Sequence, residues 1–162
     1  MKKIFLIFLC LIFTPLVQAT VIEAGISIED VPKALFGSWR VSAKLDKSNS
    51  YGSFKSQSID FWNLSRVNDF VKLENPFSGA NAEISIQTVE GNLIVFSKRL
   101  PYDNNKILTD TVTIRLNEND FHGINTLTLE TLSLIDNHVI KTETATYNIT
   151  GEKLSGDSVL KF

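Results

Sequence analysis

Cysteine is almost absent from this chain of 162 residues. The single cysteine, Cys10, lies within the apolar stretch at the start of the chain, and Phe8 and Leu9 before it do not fit a lipoprotein acylation site. Residues 20–162 therefore contain no disulfide, no thiolate metal ligand and no cysteine nucleophile. A domain formed by them must be held together by its apolar core and its backbone hydrogen bonds.

An excess of basic charge is also missing. The chain has 16 lysines and arginines against 18 aspartates and glutamates. Residues 1–19 contain two of the lysines, which leaves a net charge of −4 on residues 20–162. A mildly acidic chain without basic clusters is a poor candidate for binding nucleic acid or an anionic membrane surface.

Groups of catalytic residues are missing as well. His122 and His138 are the two histidines, and neither belongs to a metal-binding spacing. No Gly-x-Ser-x-Gly motif and no glycine-rich phosphate loop occurs. We therefore predict no catalytic residues, no metal site and no cofactor, although a glycosidase-type carboxylate pair, which forms in space, stays open.

Residues 1–19 have the three-part layout of a secretory signal peptide. Two lysines precede an apolar run from Ile4 to Phe13, and Val17-Gln18-Ala19 ends the segment with small residues near the cleavage position. The run is shorter than the roughly 20 residues that a membrane-spanning helix needs. We expect an exported protein, periplasmic or secreted, that begins near Thr20.

Residues 20–36 precede the main domain and carry the signals of a short helix. Asp30 can cap a helix whose first turn contains Pro32, and Val31, Leu35 and Phe36 give it an apolar side.

From Gly37 onward, apolar and polar residues alternate, which is typical of strands with one dry face and one wet face. The alternation runs through residues 39–45, 112–116 and 145–149, and short turn sequences separate the runs. Eight or nine strands are predicted, at 37–46, 53–65, 69–75, 82–89, 93–100, 107–117, 120–134 and 138–150, with a short ninth near 153–161. The fold class predicted for residues 37–162 is all-β, a single antiparallel up-and-down barrel of about 8–10 strands with a short helical turn before it.

The segment Val31–Trp39 resembles the entry to a lipocalin-type barrel. Gly37-Ser38-Trp39 matches the Gly-x-Trp of that family, in which the tryptophan closes the bottom of the barrel and the glycine allows close backbone approach. Thr109-Asp110-Thr111 matches two residues of the family's Thr-Asp-Tyr motif, which lies in a later turn, and Lys153 or Lys161 would supply the basic residue that stacks on the tryptophan. The resemblance implies a barrel with a cup-shaped apolar interior that carries a small apolar ligand.

The apolar members of the alternating runs are the candidate ligand-binding residues. They are Trp39, Val41, Phe61, Ile84, Ile86, Val95, Val112, Ile114 and Tyr147. Phe61 and Trp62 are neighbours on one strand, so only one of them can face inward. Packing of the aromatic residues into a filled core is the alternative to a hollow barrel.

These patterns predict an exported, non-enzymatic, lipocalin-like binding protein for a small apolar ligand of the lipid or fatty-acid class. A small outer-membrane barrel is one alternative, since the chain ends in Phe162 with Leu160 two residues before it. A secreted structural or interaction domain with a filled core is the other. Membrane association and the oligomeric state stay open.

Overall fold

The structure is a computed structural model that describes residues 26–77 and 79–156. The predicted signal peptide, Lys161 and most of the predicted ninth strand lie outside the described residues. Eight antiparallel strands form a closed barrel in which each strand pairs with its sequence neighbours and the last returns to the first. The strands are β1 (Gly37–Ser48), β2 (Gln57–Val67), β3 (Phe70–Asn75), β4 (Ala80–Glu90), β5 (Leu93–Asp103), β6 (Lys106–Leu116), β7 (Asp120–Leu132) and β8 (Val139–Ser155). The predicted fold class, an all-β up-and-down barrel, is confirmed.

The N-terminal segment folds as two 3-10 helices, Ile28–Asp30 and Lys33–Leu35, rather than as one helix capped by Asp30. Ser27 caps the first, because its hydroxyl accepts a hydrogen bond from the backbone N–H of Glu29 at 3.3 Å. Pro32 lies between the two helices and is the N-cap residue of the second. Asp30 therefore lies inside the first helix and is not its cap.

β8 continues through Gly151, which lies in the break between the predicted strands at 138–150 and 153–161. Gly151 faces the barrel interior opposite Phe121, and a Cβ built there would lie 2.1 Å from the Phe121 ring. Because glycine has no side chain, the Phe121 ring can occupy this space. The strand continues through Lys153 to Ser155. Local turn propensity is overridden here by packing across the barrel.

One end of the barrel is closed by a floor of aromatic side chains. Trp39 has no exposed surface, and its ring lies 5.1 Å from that of Phe121. The Trp62 ring stacks on Phe121 at 5.8 Å and meets Phe96 edge-on at 6.1 Å. Such aromatic contacts add to the stabilisation that burial itself provides.

The two 3-10 helices cover this floor from outside. The Trp39 indole N–H donates a hydrogen bond of 2.9 Å to the carbonyl oxygen of Leu35. Lys153 Nζ lies 5.0 Å from the centre of the Trp39 ring and donates to the carbonyl oxygen of Ala34 at 2.6 Å. A cation over an aromatic face is an attractive arrangement, and Lys153 rather than an arginine provides it.

The chain enters β1 through a close backbone approach. Gly37 has a φ of +126°, and a Cβ there would lie 2.2 Å from the carbonyl oxygen of Ser155. Glycine is therefore required by conformation and by space, as the resemblance implies.

Replacing Trp39 with alanine should lower the free energy of unfolding by about 3–5 kcal/mol, because a buried aromatic side chain and the contacts around it are lost. Ile135→Ala at the opposite end is the control, since Ile135 is 97% exposed, and a change within about 0.5 kcal/mol is expected. Urea unfolding followed by far-UV circular dichroism measures both. A loss below about 1 kcal/mol for Trp39→Ala would contradict its place in the floor.

Gly151→Ala should lower the free energy of unfolding by about 1–3 kcal/mol, because the added methyl group collides with the Phe121 ring. The matched control is Gly52→Ala, where nothing lies within 4 Å of the new carbon and little change is expected. Equal effects of the two substitutions in the same urea titration would show that Phe121 does not fill this space.

Candidate functional site

Above the floor the barrel is hollow. An inner cavity of about 240 Å³ lies next to the aromatic floor, and an outer cavity of about 260 Å³ lies toward the opposite end, which we call the mouth. The two adjoin, since both are lined by Ala43, Ser58, Leu108, Asn125 and Leu127. A barrel of eight strands has room for one small ligand of this kind.

The hollow follows from the sizes of the inward-facing side chains. Along β1 they decrease from Trp39 through Val41 to Ala43. Ser58 on β2 and Ala80 on β4 are also small and line the inner cavity. The interior is thus filled at the floor and open above it.

Most of the cavity wall is apolar, but one group of charged and polar side chains spans three strands. Lys98 Nζ on β5 lies 3.5 Å from Asp110 Oδ2 on β6, and both side chains are mostly buried. Asn125 on β7 donates a hydrogen bond from Nδ2 to Asp110 Oδ1 and another of 3.3 Å to the carbonyl oxygen of Thr111. Lys98, Asp110 and Asn125 therefore form a polar strip across three strands, and the wall of the inner cavity also includes the polar residues Ser58, Asp60 and Asn75.

Asp60 on β2 is the other charged residue of the inner cavity. Its Oδ1 accepts hydrogen bonds from Nδ2 of Asn75 and, at 2.9 Å, from the backbone N–H of Phe61. Among residues 26–77 and 79–156, no lysine or arginine forms a salt bridge with Asp60. Its charge is therefore stabilised by neutral donors and by solvent.

Two strand pairings end early beside the inner cavity and leave a gap in the backbone hydrogen bonding of the barrel wall, which we call the side opening. The β4–β5 pairing ends at Ser85 and Ser97, so the pairing does not join the first part of β4 to residues 98–103 of β5. The β2–β3 pairing likewise ends at Asn63 and Glu74 and leaves residues 57–62 of β2 paired with β1 alone. Asp60 and Lys98 lie beside this side opening.

The β1–β2 loop is fixed across the mouth by a carboxylate. Glu143 on β8 is 4% exposed, accepts hydrogen bonds from the hydroxyls of Ser50 and Ser53, and lies 3.1 Å from Lys141 Nζ. The serine hydroxyls and the nearby ammonium lower the pKa of Glu143 from 4.5 to about 2. Tyr147 adds a second tie, because its hydroxyl donates to the carbonyl oxygen of Lys55 at 2.9 Å.

The predicted ligand-binding residues fall into three groups. Val41, Ile84 and Val112 line the inner cavity and Tyr147 lines the outer one. Trp39, Ile86 and Ile114 belong to the packed core and line neither cavity. Ligand binding by these residues stays a prediction.

The third group, Phe61 and Val95, lies on the outer face, and their predicted place in the cavity was wrong. Trp39 pairs with Trp62, so Trp62 shares the inner face and Phe61 points outward, where its ring meets Phe77 edge-on at 5.4 Å. Val95 lies between the buried Ile94 and Phe96, so it also points outward.

Sequence reasoning missed the polar residues of the cavity. A signal for them exists, since each is two positions from an inward-facing apolar residue: Asp60 from Trp62, Lys98 from Phe96, and Asp110 from Val112. The Thr109-Asp110-Thr111 motif also lies elsewhere than expected, within β6 and not in a turn. Asp110 consequently faces the cavity.

The two histidines do not meet. His122 lies on β7 near the floor, and His138 lies in the β7–β8 loop at the mouth, where its Nδ1 contacts Asp136. In the described part of the chain, no group of three histidine, cysteine or acidic side chains has the geometry of a metal site. No helix among these residues is long and apolar enough to cross a membrane.

Comparison with known proteins assigns no family. No family model and no curated protein matches the chain. A solved structure, EF1p2_mFAP2b bound to DFHBI, is similar at 9% sequence identity and a TM-score of 0.32, over 75% of this chain and 94% of that chain. A similarity of this size carries no argument about function, so the functional case depends on the site itself.

Because the pKa of Glu143 is lowered in the folded state, its contacts stabilise the fold above about pH 4.5 and lose this effect as the pH falls toward about 2. We expect wild type to be more stable than Glu143→Gln at pH 6 and the difference to shrink between pH 4.5 and 2. Urea unfolding at several pH values measures it, with Glu83→Gln on the outer face as control. A Glu143→Gln effect that is the same at pH 6 and pH 2.5 would contradict this role.

Proposed function

We propose that this protein is an exported, non-enzymatic, lipocalin-like binding protein that holds a small apolar ligand of the lipid class inside its barrel. The observation that carries the proposal is the pair of adjoining cavities above a closed floor. Aromatic and aliphatic side chains form most of the wall, among them Trp62, Phe96 and Val112. Withdrawing apolar ligand surface from water would supply the affinity.

The lipocalin-like assignment rests on three residues at the floor. Gly37 makes a close backbone approach, Trp39 is buried at the floor, and Lys153 lies over the Trp39 ring, and these three contacts support the resemblance. These are fold-level features, and they support a binding barrel only together with the cavity.

The absence of an enzymatic role is part of the proposal. The charged groups of the inner cavity contact polar neighbours, Lys98 with Asp110 and Asp60 with Asn75. None of these contacts pairs a nucleophile with a general base, which covalent catalysis requires. The proposed export rests on the layout of residues 1–19.

The outer face favours this proposal over an outer-membrane barrel. An outer-membrane barrel presents an apolar band to lipid. Charged side chains instead lie at outward positions along the strands, including Arg40, Lys44, Glu83 and Arg115, all of which are exposed.

One observation favours an interaction domain as a second candidate. Phe77 is 84% exposed and packs edge-on against Phe61 on the outer face beside the side opening. Exposed aromatic residues often mark protein interfaces.

Native mass spectrometry after periplasmic expression of residues 1–162 tests the proposal. The protein is purified from the periplasm of a bacterium without detergent. We expect a chain that begins near Thr20 and carries an additional mass that disappears on denaturation. The additional mass would identify the ligand class directly.

Two matched variants locate the ligand. Ala43→Phe places a large side chain where the two cavities adjoin and should abolish the additional mass. Ser42→Phe, on the outer face, should leave the additional mass in place. A wild-type mass without any addition would contradict ligand binding and favour the interaction domain, with the surface around Phe61 and Phe77 as its interface. A chain that retains residues 1–19 would contradict export.

A further inference from the structure

The inner cavity contains an uneven set of charges. Its titratable wall residues are Asp60, Lys98 and Asp110. Lys98 lies 3.5 Å from Asp110, so these two charges largely offset each other. Asp60 has no cationic partner among the described residues, which leaves one net negative charge in the wall.

We propose that the cavity takes an amphiphile with a cationic head group, an amine or quaternary ammonium, in preference to a fatty acid. This inference rests on the proposed function and names the ligand class of the same cavity. An ammonium group would bring the inner cavity to two positive and two negative charges. A carboxylate would instead be a third anion beside a single lysine that already has a partner.

The hydrogen bonds of the cavity also favour a cationic head group over a carboxylate. Asp110 already accepts a hydrogen bond from Asn125, and Asp60 already accepts from Asn75 and from the Phe61 backbone. These donors are therefore occupied by protein carboxylates, and a ligand carboxylate would have to displace one of them. The Oδ2 atom of Asp60 can accept from an ammonium N–H without loss of these bonds, whereas Oδ2 of Asp110 faces Lys98.

The aromatic wall suits a cation as well. Trp62 and Phe96 line the same cavity as the two aspartates. The face of an aromatic ring attracts an ammonium group, and the attraction grows when the group is partly desolvated. The apolar tail would then lie along Val41, Val112 and the outer cavity.

Among the residues that the structure describes, Lys55 is the one charged residue in the wall of the outer cavity. It lines the outer cavity and not the inner one, and it is exposed to solvent, as Asp60 is. A carboxylate anchored there is the rival arrangement, and it makes the opposite prediction about head-group preference.

Three probes that share a ten-carbon chain distinguish the arrangements: decylamine, decanol and decanoate. At pH 7.4 the amine is cationic and the acid is anionic. Their dissociation constants are measured by titration calorimetry below micellar concentrations, on the protein purified from the periplasm after expression of residues 1–162. We expect decylamine to bind about tenfold more tightly than decanol, and decanoate to bind most weakly.

Two isosteric variants test the source of the preference. Asp60→Asn retains the oxygen that accepts from Asn75 and should weaken decylamine binding about tenfold while leaving decanol unchanged. Asp110→Asn leaves Lys98 without its partner and should strengthen decanoate binding. Glu83→Gln, on the outer face, controls for overall charge, and Ala43→Phe should abolish binding of all three probes.

Each outcome is decisive. Decanoate or decanol binding as tightly as decylamine would overturn the inference and leave the proposed function standing. A decylamine preference that persists in Asp60→Asn and Asp110→Asn would also overturn it, because the head group would then lie elsewhere. If none of the three probes binds, the proposed function itself is contradicted.

Discussion

The rest of the barrel depends on the contacts of the buried Trp39 side chain. Its indole N–H donates a hydrogen bond to the Leu35 carbonyl oxygen, Lys153 Nζ lies over its ring, and the ring packs at a tilt against that of Phe121. These partners come from the N-terminal segment, the last strand and the seventh strand. One side chain thus joins the beginning of the domain to its end and closes the barrel where β1 meets β8.

A filled floor and a hollow above it are two results of one arrangement. Large aromatic residues at inward positions near the floor are followed by small ones at the same face, as on β1 from Trp39 to Ala43. Burial of charge is costly unless the charge is paired or solvated. The charged residues of the interior accordingly lie at the level of the side opening, where Lys98 and Asp110 pair and Asp60 reaches solvent.

Much of this barrel could be predicted from the sequence because alternation is a local property. Trp39, Val41 and Ala43 indicate a strand and its inner face without reference to any other part of the chain. Which of Phe61 and Trp62 faces the interior could not be predicted in this way, since either register of β2 would place one aromatic side chain inside the barrel. Pairing with β1, a contact across 23 residues of sequence in the case of Trp39 and Trp62, decides it. The predicted end of the strand before Gly151 was wrong for the same reason, because the Phe121 ring that requires a glycine there lies 30 residues earlier in the sequence.

The polar residues of the cavity show where local reasoning ends. Each lies two positions from Trp62, Phe96 or Val112, and this spacing assigns it to the inner face. The spacing alone does not reveal which of these polar residues contact one another. Lys98 offsets Asp110 because the β5–β6 register places them side by side, whereas Asp60 lies on β2, beyond the end of its pairing with β3. The net charge of the cavity is therefore a property of strand register and of the early end of two pairings. A change in register on β2 would turn Asp60 outward and Phe61 inward. The cavity would then lose the carboxylate that has no cationic partner among the described residues, and its apolar area would increase.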